Sequence, residues 1–263
     1  MLNIFSIIIA SIFITFTIPN AHASISKTDK INKIDRIDNI TSTLLREFQT
    51  QYKNKEDIKK LQSKVIDLSG KAVPALVEVM KKDLYPDPNR WLATFLLGQI
   101  MGKKASPFIS KFLYHPHWVL RMAGLKTLLA LKDDRYAKDY AQRLDDNSLL
   151  VRTQALENIR TLNLKNHADA VWAMLYHKHN YQVADGKLKR IPIIKNVIKT
   201  LGDLDHQKIK PHLLSMASKE KYRDIFDEID YSLQKITGKN SPDGDYNVKK
   251  IYWERLALTE KKL

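Results

Sequence analysis

In "VRTQALENIRTL", residues 151 to 162, Arg152 is followed by Ala155, Ile159 and Leu162 at offsets of 3, 7 and 10. A helix of about 3.6 residues per turn returns those offsets to one side, so the segment predicts an amphipathic α-helix. The pattern recurs. In "LRMAGLKTLLAL" the same slots hold Arg121, Gly124, Leu128 and Leu131, and in "NRWLATFLLGQIMG" they hold Arg90, Ala93, Leu97 and Ile100. Two weaker copies begin at Ile194 (with Val197, Leu201 and Leu204) and at Phe226 (with Ile229, Leu233 and Ile236). The five first positions, 90, 121, 152, 194 and 226, are separated by 31, 31, 42 and 32 residues.

A second apolar-periodic segment precedes each copy: "KAVPALVEVMKK", "ASPFISKFLY", "YAKDYAQRL", "ADAVWAMLY" and "IKPHLLSMAS". Pro74, Pro107 and Pro211 fall near three of these starts, where the missing N–H is not needed and the fixed φ suits a first helical turn. The unit is a helical hairpin of about 31 residues. The small residue at offset 3 lets neighbouring helices approach closely, and Gly98, Gly202 and Gly238 are placed to end or join helices. One hairpin cannot bury its own apolar face, so the units are expected to stack into an all-α solenoid.

The middle copies resemble the HEAT-repeat family, whose second helices open on an arginine of the kind seen in "VRTQALENI" and "LRMAGLKTL". The resemblance spans Gly70 to Gly238 and loosens in the last two copies, where Ile194 and Phe226 replace the arginine. It implies a right-handed α-solenoid of about five hairpins, with the second helices lining a concave surface used to hold proteins. It implies no reaction and no cofactor.

The flanks complete the plan. Residues 24–69 read as one or two amphipathic helices, with a new start at Asn54 and an end at Gly70, forming an N-terminal cap; the competing reading is an arm that docks on a membrane or a partner helix. Residues 239–263 read as a loop and a final capping helix that carries Trp253. "ITGKNSPDGDYNVKKIYWERL" also resembles the tail that closes some bacterial HEAT-repeat proteins. The first segment has an uncharged apolar run from Ile4 to Ile18, then Pro19 and Ala21-His22-Ala23. It reads as a secretory signal peptide, residues 1–23, cleaved after Ala23, which places the protein in the periplasm or outside the cell with no stable transmembrane segment after processing. The segment has no Lys or Arg of its own, which leaves an uncleaved anchor as the alternative.

All of the formal charge of +15 therefore lies beyond residue 23. Outside the cytoplasm such a charge meets an anionic envelope polymer or lipid surface sooner than nucleic acid, so a basic module binding one of these is the alternative to a protein-binding scaffold. Cysteine is absent, which excludes a disulfide framework, a thiol nucleophile and a lipidated N-terminal cysteine.

The surfaces that differ between repeats carry the functional expectation. The long step places an insertion at His177–Arg190, with His177, His179, Tyr181, Lys187, Lys189 and Arg190 as candidate partner-binding residues. On the second helices Trp91, Lys126, Arg160, Lys195 and Lys199 are expected to face outward and complete the set.

The sequence assigns no catalytic or metal motif. His115-x-His117 and His177-x-His179 each offer two imidazoles but no evident third ligand. Asp243, Asp245, Asn247 and Glu254 match oxygen-ligand positions of a calcium loop, yet Val248 stands where that loop needs glycine. The simpler account is that Asn247 or Asp245 caps the final helix. No Gly-rich phosphate loop, G-x-S-x-G elbow or H-E-x-x-H is present, and the pairs Asp133-Asp134 and Asp145-Asp146 fall in turns. The expectation is a protein that is not an enzyme. The repeating arginine is expected to lay its stem over the start of its helix and to reach a neighbouring turn.

Overall fold

A computed structural model describes residues 27–52, 54–184 and 187–260, with the side chains of 27–35 and 184–188 outside that description. The proposed signal segment, 1–23, lies outside the described residues. The chain is mostly helical, and its contacts divide it into two compact units at Asp133/Asp134. Among the described residues no helix is long and apolar enough to cross a membrane.

The first unit opens with α1 (Lys27–Gln49) and α2 (Lys55–Leu68). Asn54 starts α2 as the sequence suggests: its Oδ1 accepts from the Asp57 N–H at 2.9 Å. There follow α3 (Val73–Lys81) packed on α4 (Asp87–Met101), then α5 (Ser106–Ile109), continued by a 3₁₀ turn over Ser110–Tyr114, packed on α6 (Trp118–Ala130). α4 also touches α2 and α6, which is why most of its sides are buried. Asn89 on α4 donates to the Phe48 and Thr50 carbonyls at 2.6 and 2.7 Å, satisfying acceptors left over at the end of α1.

The second unit pairs α7 (Ala137–Gln142) with α8 (Leu149–Thr161), α9 (Ala168–Ala173) with α10 (Ile193–Asp203), and α11 (Lys210–Ala217) with α12 (Phe226–Thr237). It ends in α13 (Tyr246–Glu260), packed on α11. Trp253 of α13 is fully buried and its Nε1 donates to Asp230 Oδ1 at 2.7 Å. Asp245, by accepting from the Asn247 and Val248 N–H groups, caps α13. Glu254 sits on the helix beyond that cap, near Lys250.

Residues at offsets 3 and 7 are buried in all five copies, as the periodicity requires. Gly124 presses on the preceding helix: a Cβ there would stand 3.1 Å from Leu113 and 3.4 Å from the Ile109 carbonyl. Gly98 and Gly202 act differently from the expectation. Both lie inside helices, and a Cβ on Gly202 would meet the Ser232 Cα at 2.7 Å while one on Gly98 would meet Thr127 Cγ2 at 2.5 Å. They permit close helix contact and do not end helices. Of these three glycines it is Gly238, at φ +67°, that serves as a left-handed terminator.

Three second helices end on the same turn, built from other residues. Lys132, Asn163 and Asp205 have φ of 49°, 51° and 55°. The following N–H groups of Asp133, Leu164 and His206 donate back to Leu128, Ile159 and Leu201 at 3.0–3.1 Å. This is the six-to-one bond of the Schellman motif.

The insertion is a further difference. The all-α expectation gives way there to a two-stranded antiparallel hairpin, β1 (Tyr181–Ala184) and β2 (Lys187–Arg190), with Tyr181 opposite Arg190. Alternating polar and apolar residues on either side of Asp185-Gly186 carry that signal in the sequence.

Candidate functional site

The repeating arginine organises the surroundings of the insertion. Arg152, 2 % exposed, donates through Nη1 to the carbonyls of Asp146 and Asn147, at 2.7 and 3.2 Å. Arg121 does the same one repeat earlier, to the carbonyls of His115 and Pro116 at 2.8 and 2.7 Å. In both cases the acceptors lie six and five residues upstream, in the turn that joins the two helices of the hairpin. The acidic turn is thus recognised mainly through its backbone. Arg90 keeps the site with other partners, Asp83 at 2.8 Å and the Met80 carbonyl at 3.3 Å.

Arg152 also reaches forward. Its Nε donates to Asn180 Oδ1 at 3.0 Å and Nη2 to the His179 carbonyl at 3.1 Å. Asn180 is fully buried and donates in turn to the Met174 carbonyl at 2.9 Å. One guanidinium therefore ties the Asp145–Asn147 turn to the His177–Asn180 turn. The result brings together three groups distant in sequence: His177 Nδ1 lies 3.1 Å and His179 Nε2 3.3 Å from Asp145 Oδ1. Burial, helped by the Arg152 charge, holds the His179 imidazole below its ordinary pKa, against the pull of Asp145.

Within the hairpin, two candidates are anchors. The Tyr181 hydroxyl donates to the Leu175 carbonyl at 2.6 Å, and its pKa is raised chiefly by burial. Arg190 donates to the Asp224 carboxylate at 3.0 Å and to the Lys221 carbonyl at 3.2 Å, and lies over the Tyr222 ring at 4.8 Å. Lys189 is exposed, and the Lys187 side chain lies outside the described residues. Tyr176 and Val183, which sequence reasoning did not single out, are 69 % and 77 % exposed beside these turns.

The other candidates fall on the second helices. In the first unit Trp91 is 3 % exposed, which corrects the expectation that it faces outward: α2, α3 and α6 surround its helix. Lys126 Nζ lies 5.7 Å from its ring centroid, and burial lowers the Lys126 pKa. In the second unit Arg160, Lys195 and Lys199 gather on α8 and α10 with residues of α12. Arg160 pairs with Glu157 at 2.8 Å and approaches Asp203 at 3.9 Å, and Lys195 approaches Glu228 at 3.4 Å. Lys199 and Lys235 stand 5.1 and 5.5 Å from the ring of half-buried Tyr231, whose hydroxyl donates to Asp203. The structure does not join this face to the histidine turn. Arg152 and Arg160 are separated by two turns of α8, about 12 Å along its axis.

No family model matches the chain, and no curated protein matches it.

Proposed function

We propose that this chain is an exported, non-catalytic HEAT-like α-solenoid that binds a protein partner in the cell envelope through the outward face of α8, α10 and α12. The observation that carries the reading is the mixed character of that face, in which Arg160, Lys195, Lys199 and Lys235 interleave with Glu157, Asp203, Glu228 and Tyr231. Alternating charges around an aromatic complement a protein surface, where tyrosine and arginine anchors are enriched. A polyanion groove needs a single sign of charge. The five second helices together hold eight basic and six acidic residues, a small share of the net +15 of the chain. The repeated hairpin without a catalytic signature supports a binding role, and the apolar run followed by Ala21-His22-Ala23 supports export.

A photocrosslinking residue placed at Lys199 or Tyr231 in the native envelope tests the reading. A discrete protein adduct is expected there and not from Lys138 or Lys208, which are exposed outside the second helices. Adducts arising only at those controls overturn it. So does binding of the purified chain to an anionic polysaccharide or anionic vesicles that survives Lys195→Glu with Lys199→Glu and is abolished by salt.

A further inference from the structure

Among the described residues, one place gathers three metal-ligating side chains: Asp145, His177 and His179, whose donor atoms all lie within 4.8 Å of one another. Other histidine–carboxylate contacts, His117 with Asp87 at 3.4 Å and His206 with Asp169 at 3.2 Å, are pairs. We propose that the three residues form a zinc-binding site, with the remaining coordination position open to solvent.

The geometry suits that ion. Zinc–nitrogen and zinc–oxygen bonds of about 2.0–2.1 Å at tetrahedral angles separate neighbouring donors by about 3.3 Å. The two separations measured to Asp145 Oδ1 are 3.1 and 3.3 Å. Two imidazoles and one carboxylate form a donor set of intermediate softness, which suits zinc and excludes the all-oxygen shells of calcium and magnesium. The site is accessible, since Asp145 and His179 side chains are 66 % and 40 % exposed.

The backbone that carries the ligands is held from behind. His177 precedes a 3₁₀ turn over Lys178–Asn180, and the Asn180 N–H donates to the His177 carbonyl at 3.0 Å. Arg152 fixes the turn that follows Asp145 and the His179 carbonyl at the same time. Ordering the ligands in advance reduces the entropy lost on binding. The cost is a guanidinium nearby, which opposes a dication and sets the expected affinity in the micromolar range. The competing account of the same distances is that both imidazoles simply donate to Asp145.

Titration calorimetry of the untagged full chain with zinc chloride decides between them, with cobalt absorption as the report of geometry. The expected result is one zinc per chain with a Kd below about 10 µM, and the intense visible bands of four-coordinate cobalt. His179→Ala and Asp145→Asn, both at exposed side chains, should each weaken binding at least about tenfold, while His117→Ala leaves it unchanged. Absence of binding overturns the proposal, as does equal affinity in His179→Ala and Asp145→Asn, or a loss confined to His117→Ala.

Discussion

Replacing Arg152 by alanine removes four hydrogen bonds from a side chain that is 2 % exposed. Two acceptors suffer most. Asn180 Oδ1 belongs to a fully buried residue, and the Asp146 carbonyl to one that is 7 % exposed, so neither gains full access to water. Bonds to a charged donor are worth about 1.5–3 kcal/mol each but do not add, because the turns relax once released. Taking the two buried acceptors as the main loss gives about 3 kcal/mol. With a urea slope of about 2 kcal/mol/M, that lowers the midpoint of the second unit by about 1.5 M. Arg152→Lys keeps the charge but offers one ammonium to acceptors lying on three sides, and should recover less than half of the loss. Circular dichroism in urea gives the midpoint. Hydrogen exchange gives the local effect, since the Asn180 and Ile191 N–H groups, which bond to the His177 and Asn180 carbonyls, should exchange faster. A midpoint shift under about 0.5 M, or full recovery by lysine, would show that the two turns do not depend on the guanidinium.

Other substitutions probe the packing. Gly202→Ala forces a methyl to within 2.7 Å of the Ser232 Cα. Overpacking of about 1–3 kcal/mol should outweigh the helix-propensity gain of up to about 1 kcal/mol, and the variant should melt at lower temperature. Trp253→Ala should cost about 3–5 kcal/mol in denaturant titration, whereas Trp253→Phe, which loses the 2.7 Å bond to Asp230, should cost about 1–2 kcal/mol. His206 has a pKa below 6.5, mainly through burial, with Lys208 acting in the same direction and Asp169 against it. The unfolded chain therefore binds the proton more readily, and stability should fall as pH drops below about 6.5. In His206→Gln the urea midpoint should depend less on pH across that window.

What the sequence revealed, and what it hid, follows from how local each cause is. The helical periodicity of Ala155, Ile159 and their counterparts is a property of single segments, and those positions are buried. The burial of Trp91 depends on which helices surround α4, and the meeting of Asp145 with His177 and His179 depends on a bridge through Arg152. No spacing along the chain encodes either. Gly98 and Gly202 show the same limit, since a glycine that ends a helix and one that admits a neighbour look alike until the neighbour is placed. The hairpin was different. Its alternation around Asp-Gly is a local signal in the sequence itself.

The turns at Lys132, Asn163 and Asp205 are spaced by 31 and 42 residues, the same intervals as the helix starts. The eleven additional residues therefore leave the joints of the frame unchanged. Three unlike side chains serve the same left-handed position, so the joint is specified by backbone bonding and the chain is free to vary there. Between the anchors Tyr181 and Arg190, beyond the Arg152–Asn180 bridge, the protein can accordingly gain, lose or exchange residues while each neighbouring helix still ends as before. That makes the hairpin between its anchors a replaceable part, where new binding properties can arise without redesign of the repeats that carry it.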